Sequence, residues 1–418
     1  MSLLFSRGAR WLATAVLAGA STATLATNGY FSHAYGTKSE GVAGAGIAYS
    51  QDSLVIAINP AGLVAVDGGF DIDVTAFQPD RGATLVQGGT STSYSGNDTK
   101  AFLIPALGYS RHVGDRLAVG VALYGNGGMN TDYAVNPFQR FGAQGPAGVD
   151  YIQAMVSPAV AWRINDQHSI GVALNVAYQR FKAKGIGLFA GFSSRPANVS
   201  DQGYDDSHGV GVRLGWQGQL TRDLTLGATW QSRINTGGFK KYAGLFADAG
   251  GFDIPATWGV GLGYRINDAW HVALDWQRID YSSVASVGNS VASLFQGVPL
   301  GAPDGPGFGW RDVSVVKLGT TYRPGDNLTL RAGFSHNNQP VQPQETFFNT
   351  LAPGVVRDHL TFGASWAVSP RNEISISYLH AFRYTVHGSG SIPAAFGGGE
   401  FDVRLAEDSL GLGFSHKF

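Results

Sequence analysis

Six charged side chains fall on the non-apolar face of segments whose residues alternate in polarity: Arg213, Asp275, Lys317, Arg331, Glu373 and Arg383. Two of them flank one turn, Pro324-Gly325-Asp326. Setting Arg323 opposite Asn327 pairs residue 317 with 333 and puts Arg331 diagonally across on the same face, roughly 7–8 Å away. Two cations that close in a partly dry space disfavour each other. An anionic headgroup would relieve them, and arginine offers a carboxylate two parallel N–H bonds. Arg213, Lys317, Arg331 and Arg383 are therefore candidate substrate-binding residues. The simpler account is that Asp275, on the neighbouring segment, neutralises Lys317 within an ordinary polar network.

Other chemistry is thin. Asp205, Asp206 and His208 could in principle activate water, but an acid and histidine cluster in a polar loop is weak support for an enzyme, and no catalytic residue is assigned. Cysteine is absent, which removes disulfides, thiolate metal sites and a cysteine nucleophile. No metal or cofactor is expected. Two segments carry grease among polar residues: Leu188, Phe189 and Phe192, then Phe239, Tyr242, Leu245 and Phe246 behind Lys240 and Lys241. Exposed apolar clusters mark binding or membrane surfaces. The second has the spacing of a short amphipathic helix, and its lysines would suit carboxylates or lipopolysaccharide phosphates. Loops folded onto themselves would account for the same residues.

The elements that must position these groups are strands. Residues 1–26 read as a cleaved secretory leader: Arg7 and Arg10, an apolar run from Trp11 to Ala20, and Thr24-Leu25-Ala26 at the cut. Without it the chain has 27 Lys and Arg against 30 Asp and Glu, a net charge of −3, which argues against a nucleic-acid partner. Only 14% of residues are charged, against roughly 25% in soluble domains. Yet no run past the leader is long enough to span a bilayer as a helix. From about Gly69 onward, fourteen segments alternate apolar with small or polar residues, as in Trp270, Val272, Leu274 and Trp276 against His271, Ala273, Asp275 and Gln277. Six tight turns, at His112–Asp115, Asn165–Gln167, Thr221–Arg222, Asn267–Ala269, Pro324–Asp326 and Ser369–Arg371, alternate strictly with seven long links at roughly 80–99, 125–150, 183–206, 233–251, 281–309, 337–356 and 387–403. All the short turns then lie at one end, which is the asymmetry of an outer-membrane barrel rather than a soluble sandwich. Trp162, Tyr178, Trp216, Trp230, Tyr264, Trp270, Trp276, Tyr322 and Trp366 would form interfacial girdles. The last strand stops at Phe418 and would close on the first, leaving no edge. A terminal Phe also resembles bacterial outer-membrane barrels, which implies the barrel-assembly machinery as a partner.

Residues 27–66 do not alternate, and a compact, weakly polar segment ahead of many strands fits a plug inside a barrel. Its run Gly41 to Tyr49, then Asp52 and Asn59-Pro60-Ala61-Gly62-Leu63, resembles the hatch of the FadL/TodX family of hydrophobic-compound transporters. Leu117–Tyr133 resembles the family's third strand, and Val149–Phe181 its fourth and fifth. The resemblance implies an all-β, transmembrane, 14-stranded antiparallel barrel (67–418) with an N-terminal hatch (27–66). It also implies passive uptake of hydrophobic molecules, long-chain fatty acids or aromatic hydrocarbons, by a monomer among lipid and lipopolysaccharide. Asn59, Pro60 and Ala61 would hold the hatch against the third strand. Tyr124, Gly125, Asn126, Gly127 and Gly128 would kink that strand into a lateral gate, a stretch richer in glycine than in the fatty-acid members. The rival readings are a barrel protease or lipase and an open general porin, with an adhesin or structural role also allowed by the sequence.

Overall fold

The computed structural model describes residues 27–418, so the expected leader lies outside it. A hairpin comes first, β1 (Thr27–Asn28) and β2 (Phe31–Ser32), turned by Gly29 at φ 74°. A one-turn helix α1 (Thr37–Gly41) and two 3-10 turns, Ser53–Ala57 and Pro60–Ala65, follow. Next comes β3 (Gly69–Gln87), with β4 (Thr90–Ser95) folded back on its outer end. The chain continues through β5 (Phe102–Val113), β6 (Leu117–Tyr133), β7 (Ala147–Arg163), β8 (His168–Lys184) and β9 (Asp205–Gln219). It runs on through β10 (Leu224–Gln231), β11 (Thr257–Arg265), β12 (Trp270–Ile279), β13 (Val313–Tyr322) and β14 (Leu328–Asn337). The last three are β15 (Asp358–Ala367), β16 (Asn372–Val386) and β17 (Glu400–Lys417).

Leaving aside β1, β2 and β4, fourteen antiparallel strands make the wall, and β17 closes it on β3 from Lys417 opposite Gly69 to Glu400 opposite Val86. The alternation sets the two faces. On β8, Ile170, Val172, Leu174 and Val176 point outward and are exposed, while Ser169, Ala173 and Asn175 point inward and are buried. Trp162, Trp230, Trp270 and Trp366 are exposed on the outer face. No helix of the described residues is long and apolar enough to cross a membrane, so crossing falls to the strands.

The inner face is buried because residues 27–66 fill the lumen. They present backbone N–H groups that no regular ladder satisfies, and the wall supplies acceptors. Asp71 accepts from Ser53 N (3.0 Å), Asp73 from Thr37 N (2.8 Å), and Asp275 from Gly46 N (2.7 Å) and Ile47 N (2.9 Å).

Three expectations about strand geometry need correction. Residues 80–87 are wall, not loop, because β17 runs the full length of β3 opposite them. Lys317 pairs with Ser335 rather than with residue 333, since the connection around Pro324 is longer and the ladder resumes only at Tyr322 opposite Leu330. Arg383 does not face the lumen. The β16–β17 register slips between Ala381 and Tyr384, which turns Arg383 outward to pair with Asp80.

Candidate functional site

The wall is interrupted beside the plug between β5 and β6. The ladder between β5 and β6 runs from Val113 opposite Leu117 only as far as Leu107 opposite Leu123. Beyond it, β5 stays with β3 to Phe77 opposite Phe102, while β6 stays with β7 to Tyr133 opposite Ala147. The register of β6 on β7 slips between Gly125 and Gly127, so Asn126 is an extra residue. The slip reverses the faces: Tyr124 points inward before it, Met129, Thr131 and Tyr133 after it. Asn126 is buried, donates to Gln153 Oε1 (2.9 Å) and accepts from Tyr35 Oη (3.0 Å). At the outer end the gap is closed by residues 96–98, where Asp132 N donates to Gly96 O (3.0 Å) and Asp98 N to Asp132 O (3.1 Å). Pro105 lies in the stretch of β5 that has lost β6, and a residue without an N–H is tolerated at such an edge.

The hairpin β1–β2 lies across the inner side of this window. Phe31 pairs with Gly127, Gly128 N donates to Tyr30 O (2.9 Å), and Ser32 Oγ donates to Gly125 O (2.8 Å). An added Cβ at Gly127 would collide with Tyr30 O, so glycine is required there for close approach. Tyr281, from the long loop after β12, clamps the hairpin: its hydroxyl accepts from Tyr30 N and Phe31 N (both 3.1 Å) and donates to Asn28 O (2.6 Å). Below the hairpin a pocket lies against the window, lined by Ile104, Ala106, Tyr124 and Gly125 of the two parted strands and also by His33, Glu40 and Asp73.

At the outer end the long loops converge on a second, apolar pocket lined by Val149, Phe181, Ile186, Phe189, Leu245, Phe246, Leu300, Phe308, Phe348 and Leu351. Its lining carries no charged side chain. Rings join it to the hairpin: Phe246 to Phe252 at 4.8 Å, Phe252 to Tyr151 at 4.9 Å, Tyr151 to Tyr30 at 5.9 Å, Tyr30 to Phe31 at 5.4 Å. A continuous series of packed, buried rings therefore links the outer pocket to the hairpin at the window, ending in Tyr30 and Phe31.

The family model described as outer membrane protein transport protein (OMPP1/FadL/TodX) matches residues 17–418. The chain belongs to this family. The long-chain fatty acid transport protein of Escherichia coli K12 is 24% identical over 340 residues, covering 70% of this chain and 75% of that one. The toluene transporter TodX of P. putida shares the fold at TM-score 0.67 and 18% identity, over 92% of this chain and 99% of that one. A Pseudomonas aeruginosa FadL homologue does so at TM-score 0.70 and 16% identity, over 93% and 100%. The protein is an outer-membrane barrel.

Within this FadL/TodX-family barrel, several candidate residues sit otherwise than the sequence suggested. Asn59 caps the second 3-10 turn by accepting from Ala61 N (3.1 Å), and its Nδ2 donates to Ile47 O (2.7 Å) and to Trp216 O on β9 (3.0 Å). Pro60 and Ala61 lie against Gly171 of β8, and Ser169 donates to Ala61 O (3.1 Å). The Asn-Pro-Ala element thus docks on β8 and β9, not on the third wall strand, β6. Besides the hairpin and Tyr35, contact with β6 comes from Ile56 and Leu63, beside Gly120.

The lumen cations are committed to the plug. Lys317 donates to His33 O (2.9 Å), Arg331 to Gln51 Oε1 (2.7 Å) and Ser365 Oγ (2.6 Å), and Arg213 to Ile58 O (3.3 Å) and Gln231 Oε1 (2.6 Å). Lys317 and Arg331 hold different parts of the plug and do not share a site.

The loop aromatics are mostly not exposed. Phe189, Phe239, Tyr242 and Phe246 are buried and Leu188 and Leu245 pack against that core, because the loops bury one another; Phe192 alone of the seven is 37% exposed. Residues 239–246 form a 3-10 turn at Lys240–Tyr242 rather than an amphipathic helix. Phe189, Leu245 and Phe246 meet in the outer pocket, which Phe181, Phe308 and Phe348 complete. Asp205 accepts from Lys241 N (2.7 Å), while Asp206 and His208 are exposed on the outer face of β9, so the three do not converge.

Proposed function

We propose that this protein passes small hydrophobic molecules inward across the outer membrane without an energy source. Cargo is captured in the apolar outer pocket, moves along the ring path when Tyr30 and Phe31 shift, and leaves sideways between β5 and β6 into the membrane. Residues 27–66 act as the hatch and 67–418 as the barrel, the leader 1–26 having been removed. The observation that carries the reading is that β6 parts from β5 at Leu123 but keeps β7, beside a pocket that the hatch covers. The outer pocket offers burial and no cation, and Arg213, Lys317 and Arg331 are occupied by the hatch. Both facts favour uncharged cargo, such as a monoaromatic hydrocarbon, over recognition through a carboxylate; long-chain fatty acids are the second reading, which the curated relatives favour. The protein acts as a monomer among lipid and lipopolysaccharide, is inserted by the barrel-assembly machinery, and performs no catalysis.

The test is uptake of toluene and of oleate by cells in which this protein is the sole transporter of its kind. Ala106→Trp fills the pocket inside the window, and Phe246→Ala opens the outer pocket. Reduced uptake in Ala106→Trp, with the barrel still inserted, is the expected outcome. Undiminished uptake of both compounds would contradict a lateral exit.

A further inference from the structure

Thr27 is buried in the barrel, and both of its polar donors go to one side chain. Its backbone N donates to Glu407 Oε2 (3.0 Å) and its hydroxyl to Glu407 Oε1 (3.0 Å). Glu407 is on the inner face of β17, 2% exposed. Among the described residues no lysine, arginine or histidine forms an ion pair with it. Arg81, two places along the paired strand, gives Nε to Gly96 O (3.1 Å) and Nη2 to Thr99 O (2.5 Å) and Asn130 Oδ1 (3.0 Å). Arg81 Nη1 is buried without a partner in the same cavity but makes no contact with Glu407, and a carboxylate taken from water with no cation in contact is costly, so this position calls for a positive charge. The donor bonded to Glu407 Oε2 is the atom that cleavage after Ala26 would charge.

We propose that removal of the leader at the Ala26–Thr27 bond creates an α-ammonium group on Thr27 that forms a buried ion pair with Glu407, so that processing itself latches the hairpin across the window. In the cleavage, water adds across the peptide bond: its hydroxyl goes to the Ala26 carbonyl carbon, leaving a carboxylate on the leader. One proton goes to the Thr27 nitrogen, and a second proton taken up there gives the ammonium. A bond charged on the acceptor alone becomes one between opposite charges at the same place. The consequence reaches the window because Thr27 and Asn28 are one strand of the hairpin whose other strand, Phe31–Ser32, pairs with Gly127. Glu407 is thus a positioning residue. The inference stands on the burial of Thr27 and holds whichever cargo is carried.

The experiment uses full-length protein purified from outer membranes. Mass spectrometry of the N-terminal peptide gives its first residue and the rate at which its α-amine reacts with an amine-reactive ester. The chain is expected to start at Thr27, and the amine to react about tenfold or more slowly in the folded barrel than in unfolded protein, as protection by a charge-assisted bond implies. Glu407→Gln, which keeps an acceptor but not the charge, should lose most of that protection, and Glu407→Asp should keep part of it. Should Glu407→Gln fail to insert, the folded and unfolded wild type and Glu407→Asp still decide. A different first residue, equal reactivity in folded and unfolded wild type, or full protection in Glu407→Gln would each overturn the proposal.

Discussion

Asn59 shows what one side chain does in a segment with no ladder of its own. Its oxygen caps a 3-10 turn, and its two N–H groups tie Ile47 and β9 together. Asn59→Ala removes the cap and leaves Ala61 N without its acceptor, while Ile47 O keeps its bond from Gln217 Nε2, at a cost of about 1–2 kcal/mol in hatch docking. The expected sign is faster proteolysis within 27–66 while the wall stays resistant. Asp52 makes the docking depend on pH. Burial pushes its carboxyl from an ordinary 3.8 up to about 8, with Asp71 beside it adding to the rise and Lys38 opposing it. A carboxyl whose value is raised by folding favours the docked state while protonated, so its contribution is present in acid and is lost as pH rises from about 4 through 8. The hatch of wild type should therefore be cut more readily at pH 8.5 than at pH 5.5. Asp52→Asn, compared with wild type at each pH, should flatten that difference, and an unchanged pH profile in the variant would dismiss Asp52 as its source.

At the scale of elements, the wall was legible and so, from the glycines and the family resemblance, was the place where β6 is irregular, but what holds that bulge and the slip on β16 were not. Period-2 alternation reports which face each strand shows to lipid, and turn length reports which end is which; both depend on local sequence alone. The bulge at Asn126 and the slip beyond Ala381 depend on what lies beside them: Tyr35 and Gln153 at the first, an extra residue on β16 at the second. The same holds for the clamp by Tyr281, which is about 250 residues away in sequence from the hairpin it grips. Pro105 was a usable signal, because a proline inside a wall strand marks a place where the ladder stops. The inward Asp71 and Asp73 were another, as acceptors waiting for a segment rich in unpaired N–H groups. Gly127 tests the element directly. In Gly127→Val the new side chain meets Tyr30 O, so the hairpin should lift from β6 without loss of the barrel. Hydrogen exchange at Tyr30 to Ser32 should quicken; unchanged exchange would mean that the hairpin is not seated through this contact.

For the whole molecule, the question is whether the plug is a part of the fold or a tenant in it. The wall closes on itself through eighteen paired positions between β17 and β3, from Lys417 to Glu400, none of which involves residues 27–66. Its outer face is already apolar, and its inner face carries serine, asparagine, glutamine and charged side chains that water can satisfy as well as the hatch does. Deleting residues 27–66 behind an intact leader should therefore leave an inserted barrel, not an unfolded chain. Fourteen strands lie between the eight that side chains fill and the sixteen of a water-filled porin, so an emptied lumen is wide enough to conduct ions. Planar-bilayer recording should show steady, large conductance for the deleted form and little for the intact one. Equal conductance in the two would mean that water already passes the hatch, and the porin reading would regain its place. Failure of the deleted form to insert would instead make the hatch part of the folding nucleus, held by the bonds that its backbone N–H groups give to Asp71, Asp73 and Asp275.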